Sequence, residues 1–182
     1  MVHGIIFTSW VLLFLTQASL VAAGRTSVHR RLGVAGAGLA AVMVVLGPVV
    51  AIPAGRRGAL PGDPLAFLLV PLGDLVLFAV FVSAAIWNRR RAETHKRLML
   101  LGLLSLLPPA VSRWPVAANR PAVTAGILFV MMMAPPVYDF VTRRRVNPIT
   151  LWGGLALFVS APLRFAFSQT EAWHRVARWL IS

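Results

Sequence analysis

Histidine is the side chain here best suited to chemistry near neutral pH, and two of the four histidines stand in nearly the same phrase. "RTSVHRRLG" begins at Arg25 and "RAETHKRLM" at Arg91, which places His29 and His95 at matching positions where two apolar runs begin. Neutral imidazole ligates haem iron and copper, so two such rings converging across a helical bundle would make a cofactor site. The plainer reading makes both phrases interfacial topology signals, with the rings among lipid headgroups. A charge rule alone would not keep histidine at one fixed place relative to the helix start. The chain has no cysteine, which excludes disulfides, thiolate nucleophiles and Cys-ligated zinc, haem or iron–sulfur centres.

Intramembrane charge supplies the second set of candidates. Asp74 lies in "VPLGDLVLF", and Arg113 and Arg164 fall at comparable depth on later apolar segments. An ionisable group within a span costs about 2.5–3.5 kcal/mol on insertion scales, so it faces the bundle interior and finds a partner. Asp74 with Arg113 or Arg164 is therefore a candidate buried ion pair, and the arginines are candidate partners for a haem propionate or a lipid phosphate. Alternatively, Pro71 and Gly73 break the helix and Asp74 caps its second part. Asp139 precedes Arg143 by one helical turn, which predicts a local intrahelical pair. Met131–Met133 are consecutive, so their thioethers point to different faces and read as packing residues. His3 and His174 stand alone. No phosphate-binding glycine loop, His-Glu-x-x-His helix, G-x-S-x-G elbow or paired carboxylate motif is present, which argues against a conventional hydrolase or ATP-driven pump.

The elements that must position these residues follow from composition. The chain is 58% hydrophobic and 13% charged, with mean hydropathy +0.78, far from a soluble domain. Its net charge of +13 sits between apolar runs and not on a solvated face, so it reads as topology and not as a nucleic-acid surface. Runs at Ile5–Ala23, Leu32–Pro53, Leu65–Trp87, Leu98–Pro115, Ala122–Thr142 and Ile149–Phe167 are each near the roughly 20 residues a spanning helix needs. The fourth is weakest because Pro108 and Pro109 remove amide donors. "MVHGIIF" lacks a basic residue ahead of the apolar run, so the first segment is expected to be a retained helix and not a cleaved leader.

Eleven basic residues fall in the first, third and fifth joints, against four (Arg56, Arg57, Arg113 and Arg120) in the second and fourth. The positive-inside rule then places the arginine-rich turns in the cytoplasm and both termini outside. The expectation is an all-α integral membrane protein: a six-helix transmembrane bundle over residues 1–168, built from three helical hairpins as an internal repeat. The third turn, "RRRVNP", would carry Asn147 in place of histidine. In the tail, 169–182, Trp173, Val176, Trp179 and Leu180 share one helical face, which predicts an amphipathic helix lying in the membrane interface.

"HRRLGVAG" and "HKRLMLLGLLSLLPPA" resemble the His-containing helix starts of uncharacterised small bacterial multi-helix membrane protein families, some linked to haem–copper oxidase assembly. The resemblance covers about a quarter of the chain and maps onto His29 and His95 with their basic neighbours. It implies the bacterial cytoplasmic (inner) membrane and the binding or handling of haem b or copper, for electron transfer or oxidase assembly. The competing expectation is a non-enzymatic small transporter, or an accessory subunit of a membrane complex with no cofactor.

Overall fold

A computed structural model describes residues 2–118 and 120–182; Asn119, in the expected fourth joint, lies outside them. Among the described residues all regular structure is helical: α1 (Val2–Ala22), α2 (Thr26–Arg56), α3 (Pro64–Trp87), α4 (Ala92–Ser105), α5 (Pro108–Val111), α6 (Pro121–Arg143), α7 (Pro148–Ser168) and α8 (Glu171–Ile181). Five of these, α1, α2, α3, α6 and α7, are long and apolar enough to cross a bilayer. Such stretches form helices because lipid offers no partner for a free amide, so each backbone group must be satisfied within its own segment.

The expected fourth span is broken. With 14 residues, α4 rises about 21 Å, short of a hydrocarbon core of about 30 Å. Pro108 and Pro109 carry no N–H to continue the ladder, and the chain tightens there through Leu106 N–H to Leu103 O and Leu107 N–H to Leu104 O before α5. The first joint turns on Gly24, whose φ of +72° suits a residue without Cβ. Later starts are capped by side chains: Asp63 accepts from Leu65 and Ala66, Asn147 from Ile149, and Thr170 from Trp173.

Packing centres on α3, which meets α2, α4, α7 and α8. Trp10, Ala40, Met43, Leu75, Phe78 and Val82 join α1, α2 and α3, with Trp10 edge-on to Phe78 at 5.0 Å. Phe81, Leu101 and Leu157 join α3, α4 and α7. By contrast α6 buries only Asp139 and meets α5 and α7 sparsely. The tail is helical as expected, and α8 docks on the bundle: Trp173 and Ala177 bury against Ala51 of α2 and Leu68 of α3. Polar contacts fix it there. Trp173 Nε1 donates to Leu65 O at 2.7 Å, Arg56 donates to the carbonyls of Ile181 and Ser182, and His174 Nε2 bonds Asp63 at 2.8 Å.

Candidate functional site

The two histidine phrases start their helices in the same register. Arg25 and Arg91 are the residues preceding α2 and α4, and the amides of His29 and His95 bond back to their carbonyls at 3.1 and 2.9 Å. Each imidazole therefore projects from the fourth helical residue. The third turn is different, because Asn147 itself caps α7 and the amide bonding back to it belongs to Leu151. Asn147 thus takes the place of Arg25 and Arg91 relative to the helix start, not that of the histidines. Pairing it with them on the strength of the phrase "RRRVNP" shifts the register by four residues.

His29 and His95 come together. Their ring centres lie 6.2 Å apart with planes at 81°. His95 Nδ1 bonds the carbonyl of Ala85, at the end of α3, at 2.9 Å. A carbonyl can only accept, so Nδ1 carries a proton, which in the neutral ring leaves the lone pair on Nε2, the arrangement common in histidine ligands. His29 Nδ1 is buried without a partner. Two imidazoles on opposite sides of one ion have nitrogens about 4 Å apart and ring centres about 6 Å apart, given metal–nitrogen bonds of about 2 Å. Among the described residues no group of three or more His, Cys, Asp or Glu could hold a metal ion, so the two imidazoles stand without a third ligand of those types.

The two arginines expected at haem propionates lie away from the histidine pair. Arg164 follows the basic start of α7 by 16 residues, a rise of about 24 Å, and is committed to Asp74. Arg113 is exposed and donates to Pro109 O, because the break at Pro108 turns its backbone out of a straight span.

The buried-charge expectation is therefore met by one arginine and corrected for the other. Arg164 Nη1 donates to Asp74 Oδ1 at 2.7 Å and to Val70 O at 2.9 Å, tying α7 to α3. Helix α3 runs unbroken through Pro71 and Gly73, so Asp74 does not cap a second piece. Gly73 is needed for the pair, since a Cβ there would overlap the Arg164 side chain.

Asp139 overturns the local-pair expectation. It is fully buried, and its Oδ2 accepts from Arg97 Nη1 at 2.5 Å and from the Asn147 amide at 3.2 Å. Arg97 Nη1 also donates to Thr150 Oγ1 at 2.6 Å, so one node joins α4, α6 and α7. Arg143 instead meets Glu93 at 2.9 Å. Lys96 first, with Arg143, holds the exposed Glu93 carboxyl down to about 2. Arg97 was hidden within a basic run. Its signal is phase: Arg97 and Leu101 lie one turn apart on one face of α4, and both are buried.

Comparison with protein families, with curated proteins and with solved structures finds no match. The fold defines the class: an all-α protein with several helices suited to a lipid bilayer.

Proposed function

We propose that this is a multi-pass protein of the bacterial cytoplasmic membrane that handles copper through His29 and His95 at its basic end. The observation that carries the reading is the 6.2 Å approach of two imidazoles from helices distant in sequence, one with Nδ1 fixed by a backbone carbonyl. Copper suits imidazole and stands highest among first-row divalent ions in intrinsic affinity. The exposed arginines nearby weaken cation binding only modestly, because solvated charges are screened over about 10 Å at 0.1 M salt. Copper bound here would serve electron transfer or delivery to an oxidase. With the interrupted α4–α5 segment counted as the fourth of six crossings, the basic end faces the cytoplasm and both termini lie outside, following the asymmetry of the joints.

Purified protein titrated with copper against a chromophoric chelator should hold one ion per chain, and His29→Ala or His95→Ala should each weaken binding at least tenfold. Wild-type protein that takes no copper above a detergent control would sink the reading. For the orientation, cysteines placed at Ser27, Thr94 and Val146 should resist a membrane-impermeant thiol reagent in intact cells. Rapid labelling of any of them would reverse the topology or change the number of crossings.

A second reading, an accessory subunit of a larger complex, is favoured by α6. Its residues Phe129, Val130, Val137, Tyr138, Phe140 and Val141 are all at least half exposed, leaving a long apolar face open to lipid or to another helix.

A further inference from the structure

Helix α1 brings a further polar group to the neighbourhood of His29. Gln17 is the only carboxamide in that helix, and its Oε1 is buried with no hydrogen-bond partner. It lies against the same face of α2 as His29. Its Nε2 is 3.6 Å from where a Cβ on Gly33 would sit, and Gly33 follows His29 by one turn. The His29 ring also lies beside the Gln17 backbone, with no hydrogen bond of acceptable geometry at Nδ1. Two orphaned polar atoms, Gln17 Oε1 and His29 Nδ1, are thus enclosed in one neighbourhood. A buried unsatisfied group costs about 1–3 kcal/mol, and two of them in one neighbourhood call for a common partner. The amide oxygen can only accept. A neutral imidazole offers a lone pair on one ring nitrogen, so a single cation can satisfy both residues.

Resting on the copper reading above, we propose that Gln17 is the third ligand of the site, giving a two-nitrogen, one-oxygen donor set that favours Cu²⁺ over Cu⁺. Nitrogen and oxygen donors in a planar or tetragonal arrangement suit Cu²⁺, whereas Cu⁺ gains little from a carbonyl oxygen. The consequence is a division of labour. The imidazoles hold copper in either oxidation state, and α1 sets which state is held more tightly.

The test uses the full chain in detergent, titrated separately with Cu²⁺ and, under reductant, with Cu⁺. Gln17→Leu should lower Cu²⁺ affinity at least tenfold and leave Cu⁺ affinity within about twofold; Gln17→Glu should strengthen Cu²⁺ binding. Should Gln17→Leu fail to fold, Gln17→Asn keeps the polarity, withdraws the carbonyl by one methylene and should show the same selective loss. Unchanged Cu²⁺ binding in these variants, with binding still lost in His29→Ala, would overturn the third ligand and leave the two-imidazole site standing. An equal loss of both ions would also overturn it, as a structural effect of α1. Failure of wild-type protein to bind either ion would remove the underlying site itself.

Discussion

Asp74 and Asp139 each sit on an apolar helix and each pairs with an arginine from far along the chain, yet the two pairs do different work. Asp74 joins α3 to α7, helices that already share the cluster of Phe81, Leu101 and Leu157. Its partner keeps 18% of its side chain exposed. Asp139 is enclosed completely, and its partner Arg97 keeps only 8%. Asp139 is also the one residue that α6 buries. Where apolar packing is dense, an ion pair adds alignment; where it is thin, the pair becomes the attachment.

Removing Asp139 should therefore have the largest effect. Asp139→Ala strands Arg97 in a closed interior and should cost about 3–5 kcal/mol in a reversible unfolding titration in detergent. Amide exchange should then rise along α6 before it rises elsewhere, since little else holds that helix. Global loosening without an early signal from α6 would break the distinction between attachment and alignment.

Asp74→Ala should cost less, about 3 kcal/mol, because the partly exposed Arg164 can turn toward water. The double change Asp74→Ala with Arg164→Leu should recover most of that loss, since no charge is left stranded. Additive losses in this cycle would show that the two residues act separately. A loss matching that of Asp139→Ala would show that neighbouring packing does not decide the cost.

The smallest effect is expected at the surface clasp between α8 and the start of α3, and it can be read by pH. The bond to Asp63 raises the His174 imidazole above its ordinary 6.5, and the same bond from His174 lowers the Asp63 carboxyl below 3.8. A raised imidazole stabilises fully below the unfolded value and loses its contribution as pH climbs through the folded value. A lowered carboxylate stabilises above its unfolded value and loses its contribution as pH falls through the folded one. Docking of α8 should accordingly be tightest between about pH 4 and 6.5, loosening above and below, as followed by the fluorescence of buried Trp173. His174→Gln should flatten the alkaline side; an unchanged profile would exclude the clasp as its cause.

Much of this architecture was legible because lipid makes the rules strict. Apolar length marked five long helices, the amphipathic pattern of the tail marked α8, and depth offered Asp74 two partners, Arg113 and Arg164, of which it meets the second. The failures share a cause. Asp139 had a plausible partner one turn away in Arg143, and nearest-neighbour logic cannot see that Arg97 arrives from α4 with a second donor, the Asn147 amide, beside it. Arg113 was placed by counting along a straight helix, and the break at Pro108 and Pro109 voided the count. The histidines were identified by their phrase, whereas Gln17 carried no pattern beyond being an amide in an apolar helix.

The two ion pairs also differ in time. The chain emerges from the ribosome at about 5–20 residues per second. Asp74 therefore waits about 5–20 s for Arg164, which lies 90 positions later. Arg97 waits about 2–8 s for Asp139, 42 positions later. During its wait Arg97 has Glu93 one turn away at 3.5 Å, whereas Asp74 has apolar neighbours along its own helix. Insertion of α3 is then the step at which an uncompensated charge stands in the membrane longest. The last long helix to be synthesised is the one that releases it.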